Sequence, residues 1–157
     1  MDTPILPKAS PPWVAIQRNP SSGSGKRAGI VIDLIGALKA RGLQPRLFSK
    51  RSDFDAAVND PRRRPTLVAA VAAGGDGTVL DLVNRHPNLP LTILPLGTEN
   101  LLAKAFGIPR SGQTVAEIIS RNHRQRIDSA WLNGRRFLIM ASAGFDAQVV
   151  QQVHANR

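Results

Sequence analysis

Short apolar runs alternate with longer amphipathic stretches along most of the chain. Trp13-Val14-Ala15-Ile16 is an unbroken apolar run and predicts a buried strand. Leu43–Ser49, Leu67–Ala73 and Leu91–Pro95 predict three more. Between the first two, Ala28, Val31, Ile32, Ile35 and Leu38 fall on one helical face, so a helix is expected over about 27–41, with Gly42 placed to end it. Ser52 and Asp55 have the spacing of a capping box and predict a short helix ending near Asn59. Helices are also expected over 79–85, opened by a Thr78/Asp81 capping pair, over 101–106, and from Thr114 and Glu117 to about Arg121. His86, next to Pro87, reads as an exposed helix end rather than a ligand. Arg126–Trp131 and Arg136–Ala141 read as two strands joined by the hairpin turn Asn133-Gly134. Ser142 to Asp146 then opens a last helix, Ala147 to about His154. Residues 1–12, with four prolines and little periodicity, read as a flexible leader. This alternation of strand and helix predicts an α/β fold with a doubly wound, mostly parallel sheet and helices on both faces.

Three polar, glycine-containing turns follow predicted strands. In the central one, Gly74-Gly75-Asp76-Gly77-Thr78, glycines at 74, 75 and 77 allow positive φ and close approach of a bulky group. Backbone N–H groups in such a turn, backed by a helix N-terminus, form a concavity suited to phosphate. Asp76 would repel a bare phosphate but not one carrying Mg²⁺. The competing reading is a strand–helix turn that binds nothing. The turn over Arg18–Lys26 also has a phosphate-binding composition: Asn19 and two serines as donors, Lys26 as a point charge. It is not a Walker loop, because Pro20 stands where the first glycine is needed and Arg27 where Ser or Thr is needed. The third turn is Gly97-Thr98-Glu99-Asn100. Ligands of such sheets bind beyond the carboxyl ends of the strands, so the three turns are expected to converge on one crevice.

Composition narrows the partners. At 157 residues and 42% hydrophobic, the chain is one ordinary domain with a real core. The net charge is +10, from 21 basic and 11 acidic residues, which favours nucleic acid, anionic membrane or polyphosphate. Nucleic acid is the rival that ranks last, since with no Tyr, five Phe and two Trp the chain lacks stacking platforms. Arg62-Arg63-Arg64, between Pro61 and Pro65, reads as a solvated loop, with attraction to an anionic membrane as its functional reading. The absence of cysteine excludes disulfides and thiolate metal sites. No apolar run approaches the ~20 residues of a membrane span, and Met1–Pro12 shows no signal pattern; a cytoplasmic protein is expected.

Taken together, these turns resemble a known family. Gly74-Gly75-Asp76-Gly77-Thr78 resembles the GGDGT signature of diacylglycerol, sphingosine and ceramide kinases, NAD kinases and, more distantly, phosphofructokinases. Asn19-Pro20 with Ser22-Gly23-Ser24-Gly25-Lys26 is similar to the first nucleotide loop of the diacylglycerol kinase catalytic domain. Pro95 to Ala103 resembles that family's PxGTxNxxA segment, followed by Ile108-Pro109, and Gly144-Phe145-Asp146-Ala147 resembles its GFDA motif. Glu99, Leu101 and Leu102 depart from the commoner asparagine-aspartate-phenylalanine version. The resemblance spans about residues 13–154.

The resemblance implies transfer of the ATP γ-phosphoryl to a lipid hydroxyl, with ATP and Mg²⁺ as cofactors and a lipid such as diacylglycerol as acceptor. In that reading Gly74, Gly75 and Gly77 hold the phosphates and Asp76 acts catalytically through the metal. Thr78 bonds a phosphate oxygen or caps the helix. Asn19, Pro20, Ser21, Ser22, Gly23 and Lys26 line the other side. Gly97, Thr98 and Asn100 close the pocket, or serve only as a turn and helix cap; Ser49 contacts base or ribose. Asp146 reads as a cap. The implied organisation is a nucleotide-binding domain over 13–130 and the truncated start of a second, β-rich domain over 131–157. That second domain would build the lipid site and supply the acidic general base, so the chain alone is expected to bind nucleotide and to be a poor kinase. Peripheral contact at the inner membrane face and a homodimer are further partners in this reading, with no nucleic acid. An NAD kinase-like enzyme and a non-catalytic nucleotide-binding module are the alternatives.

Overall fold

The computed structural model describes residues 11–19, 27–141, 143–145, 147, 148 and 152. Two compact units are distinguished, residues up to Gln125 and residues from Arg126 onward.

The first unit is built on four parallel strands: β1 (Trp13–Arg18), β2 (Gln44–Phe48), β3 (Leu67–Gly74) and β4 (Leu91–Pro95), in the order β2-β1-β3-β4. Continuous apolar runs mark strands covered on both faces. Side chains alternate between the faces. Val14 and Ile16 of β1, Ala69, Val71 and Ala73 of β3, and Leu94 join Val31, Leu34 and Leu38 of α1 (Ala28–Ala40) and Val115, Ala116 and Ile119 of α5 (Gly112–Ser120) in one core. The intervening residues Trp13, Ala15, Ala70, Ala72 and Ile93 are buried too. On that side lie Phe54 and Val58 of α2 (Arg51–Asn59) and Val79 and Leu82 of α3 (Asp76–Arg85), all buried. The sheet is thus doubly wound, as the alternation of strand and helix predicts.

Gly42 ends α1 as expected. Its φ of +73° is the left-handed value, its N–H bonds Lys39 O at 3.0 Å, and Leu43 N bonds Leu38 O at 3.1 Å. This is a Schellman stop, in which glycine avoids the Cβ penalty of the left-handed region. Gly112, the first residue of α5, lies directly on α1: a Cβ there would collide with Leu34 N and come within 2.7 Å of Ile30 O.

The second face carries a charged tie. Arg85 donates to Asp55, to Asp81 Oδ2 at 2.8 Å and to Gln17 Oε1 at 2.7 Å. His86 Nε2 lies 2.6 Å from Asp55 Oδ1. His86 is therefore not the exposed helix end expected of it; its side chain is only 9% exposed, because Asp55 and the Phe54 ring draw it inward.

The helix starts correct the sequence reading. α2 begins at Arg51, so Ser52 lies inside it and bonds Asp53 instead of capping. α3 begins at Asp76, with extended Gly75 before it, so Thr78 is already in the first turn and Asp81 is engaged by Arg85 and Arg51. α5 is capped by Ser111, whose hydroxyl accepts from Thr114 N at 3.2 Å. In each case the expected Ser or Thr cap lies within the helix, past the end it was expected to cap.

The second unit contains the hairpin β5 (Ala130–Leu132) and β6 (Arg135–Phe137). Asn133 and Gly134 both have positive φ, 49° and 73°, as a two-residue hairpin turn demands. The strands are shorter than expected over 126–131 and 136–141; among the described residues they form a two-stranded ribbon with no third strand beside it. Most of the expected last helix lies outside the described residues, as do residues 1–10 of the expected leader.

Candidate functional site

Parallel register puts the carboxyl ends of all four strands at one end of the sheet: Gln17 pairs with Phe48, Arg18 with Ala73, and Gly74 with Pro95. The chain passes from β1 to β2 on one side and to β3 on the other. The gap beyond β1 and β3 is therefore the topological switch point, where ligands of doubly wound sheets bind. Asn19 sits at that gap, its N–H bonded to Ala73 O at 3.3 Å.

The 74–78 and 97–100 turns meet there. A Cβ on Gly97 would stand 2.5 Å from Gly75 Cα, and a Cβ on Gly75 would stand 3.2 Å from Gly97 Cα. Only hydrogens fit between the two backbones. Gly74 is likewise filled on its Cβ side by the Thr78 side chain. None of Gly74, Gly75 and Gly77 has positive φ, contrary to the expectation from sequence. Close packing, not left-handed backbone, excludes a Cβ at 74 and at 97 and leaves only a tight fit for one at 75. Gly77 differs: a Cβ there meets nothing within 4 Å.

Asp76 bridges the same two segments. Its carboxylate accepts from Leu101 N at 3.0 Å and Leu102 N at 3.1 Å, so it caps α4 (Leu101–Ala105) across the crevice. Asn100, buried and at φ 51°, closes its own turn: Oδ1 accepts from Gly97 N and Nδ2 donates to Gly97 O, both at 2.8 Å. Thr78 is buried, while Thr98 is exposed. Ser49 is exposed just past β2, separated from β3 by β1. Pro20, Ser21, Ser22, Gly23, Lys26 and Asp146 lie outside the described residues.

Two residues that sequence reasoning passed over hold the third turn. Arg27 donates to Leu96 O and to Gly97 O, the latter at 2.9 Å. Arg110 donates to Pro95 O and Gly97 O, both at 2.9 Å. In the sequence Arg27 stands as a mismatch to a P-loop and as the start of a helix, and no motif points to Arg110.

A separate cavity of about 40 Å³ opens at the amino ends of β3 and β4, lined by Ala69, Thr92, Ile119 and His123 among others. Thr92 Oγ1 is buried there without a protein partner among the described residues. The space suits an ordered water rather than chemistry.

The sequence profile of the diacylglycerol kinase catalytic domain matches residues 14–132. The chain belongs to the diacylglycerol kinase catalytic-domain family. It is 29% identical over 136 residues to a diacylglycerol kinase of Staphylococcus saprophyticus, covering 83% of this chain and 45% of that protein. A Staphylococcus haemolyticus diacylglycerol kinase is equally similar, at 29% identity with 41% of its length covered. A diacylglycerol kinase structure from Bacillus anthracis superposes with a TM-score of 0.62 at 25% identity, over 83% of this chain and 47% of that one. The chain thus spans less than half the length of these relatives. The residues of this chain that match the diacylglycerol kinase catalytic domain, 14–132, include both turns that meet at the switch point.

Proposed function

We propose that this chain is the nucleotide-binding part of an ATP-dependent lipid kinase, in which the γ-phosphoryl of ATP passes to the hydroxyl of a lipid such as diacylglycerol. The observation that carries this reading is the glycine-on-glycine meeting of the 74–78 and 97–100 turns at the switch point of a diacylglycerol kinase-family sheet. In the transfer a bond forms between the acceptor oxygen and the γ-phosphorus. The bond from that phosphorus to the leaving ADP oxygen breaks, and the hydroxyl proton goes to a base. Catalysis of this kind is mainly positioning and charge neutralisation.

The residues fit a magnesium polyphosphate. The N–H groups of Asp76 and Gly77 precede the first helical bond of α3, from Thr78 N to Gly75 O, and so face outward from the helix start. The open space on the Cβ side of Gly77 leaves room for a ligand. Asp76 uses one lone pair on each oxygen for the α4 amides and keeps the others for a cation. Bound Mg²⁺ would neutralise phosphate charge. In this proposal Gly74 and Gly75 shape the floor, Asn19, Pro20, Ser21, Ser22, Gly23 and Lys26 bind the phosphates, and Thr98 and Ser49 contact the nucleotide. The lipid acceptor, peripheral contact with an anionic membrane, a cytoplasmic location and a homodimer belong to the same proposal. Among the described residues no helix is long and apolar enough to cross a membrane.

Calorimetric titration with ATP and Mg²⁺, followed by transfer of labelled phosphate to diacylglycerol in mixed micelles or to NAD, tests the reading. Heat with MgATP is expected of this chain itself, and label in lipid when the chain is joined to a lipid-binding half such as its longer relatives have room for. Asp76→Asn should abolish transfer and keeps one of the two acceptors that cap α4, whereas Asp76→Ala removes both and lowers the melting temperature further. No heat with MgATP would overturn the proposal, and label in NAD instead of lipid would move it to an NAD kinase-like enzyme. Binding that still gives no transfer when a lipid-binding half is joined to the chain favours a non-catalytic nucleotide-binding module, a second reading prompted by the 41–45% coverage of the relatives.

A further inference from the structure

Three successive carbonyls at the end of β4 are taken by two guanidinium groups. Arg27, just before α1, uses a single nitrogen, Nη1, for both Leu96 O and Gly97 O. Arg110, between α4 and α5, uses two: Nε donates to Pro95 O and Nη2 to Gly97 O. With Asn100 Nδ2, Gly97 O meets three donors, more than its two lone pairs can serve at full strength. Such convergence on one backbone oxygen is more than a surface arginine needs to satisfy itself.

Peptide planarity explains what the convergence does. In a trans peptide the N–H points opposite to the C=O. Drawing Leu96 O toward Arg27 sends Gly97 N the other way, onto Asn100 Oδ1. Drawing Gly97 O toward both arginines likewise fixes the direction of the Thr98 N–H. Gly97 Cα is then held against Gly75, and the chain enters α4 with the Leu101 and Leu102 amides on Asp76.

We propose that Arg27 and Arg110 are positioning residues of the crevice, setting the 95–102 segment against the 74–78 turn without touching the nucleotide; this rests on the nucleotide reading above. The two arms make different demands. A lysine at 27 can reproduce a bond pattern that uses one nitrogen. A lysine at 110 cannot, because Pro95 O and Gly97 O need the two prongs of a guanidinium.

The test uses the whole chain and its Arg27→Ala, Arg27→Lys, Arg110→Ala and Arg110→Lys variants. MgATP affinity is measured by calorimetry, and the Gly97, Leu101 and Leu102 amide signals by ¹⁵N–¹H spectra. Arg110→Ala and Arg110→Lys are expected to weaken MgATP on the order of tenfold, the scale of one lost charge-assisted hydrogen bond, and to shift all three signals. Arg27→Lys should stay near wild type where Arg27→Ala does not. Unchanged amide signals in the Arg110 variants, or shifted signals with unchanged affinity, would overturn the proposal. So would rescue by Arg110→Lys. If the unsubstituted chain gives no heat with MgATP, the nucleotide reading falls, while the amide signals still decide whether the arginines set the turn.

Discussion

Gly77 and Gly97 separate ligand from fold. At Gly97 an added methyl would run into the Gly75 backbone, which cannot step aside as a flexible side chain would. Gly97→Ala should therefore lower stability by about 1–3 kcal/mol, the usual range for overpacking, read as a fall in melting temperature. At Gly77 the space is open and the residue is helical, so Gly77→Ala should raise stability by about 0.5–1 kcal/mol through helix propensity alone. If the crevice holds polyphosphate, the same variant loses MgATP affinity while melting higher. Loss of binding together with gain of stability is a pattern no folding defect produces. The glycine cluster was legible in the sequence, but its cause was not. Sequence suggests positive φ, whereas the contact that excludes a side chain at Gly97 comes from Gly75, more than twenty positions earlier, which no local pattern reveals. Arg110 was illegible for the same reason: its partners are backbone oxygens, which every sequence offers everywhere.

At the scale of elements, α1 and α5 give opposite results for the same substitution. Gly36 lies on the exposed side of α1 with nothing within 4 Å of a Cβ, so Gly36→Ala should stabilise by about 1 kcal/mol. Gly112→Ala should destabilise by about 1–3 kcal/mol, because its methyl meets the α1 backbone and forces α5 away. Urea melts of the two variants check both signs. Strands and helices themselves were legible, since a buried parallel strand is an apolar run and an amphipathic helix repeats every three to four residues. Gly42 was read correctly because a Schellman stop uses only neighbours. Helix starts were read poorly: a Ser or Thr three residues before an acid also occurs inside helices, as Ser52 and Thr78 show. The Gln17–Arg85–Asp55 tie, which draws His86 inward, joins three elements and has no sequence signature.

At the scale of the molecule, the +10 charge should act before any contact forms. Vesicles containing phosphatidylglycerol should co-sediment the protein at low salt and release it near 1 M salt, where the screening length is about 3 Å. Zwitterionic vesicles should not hold it. Binding that survives high salt would instead point to apolar insertion, for which the exposed Trp131, Leu132, Met140 and Phe145 are available. The strand order has a consequence during synthesis. β1 is made first yet lies between β2 and β3, so one of its edges stays open until the chain has grown through Gly74. A nascent chain arrested near Thr66 would show Val14 and Ile16, wholly buried at the end, to the surrounding medium. Apolar side chains shown in this way make a partly made chain prone to aggregate, and delayed translation across the 60s would lengthen that exposure.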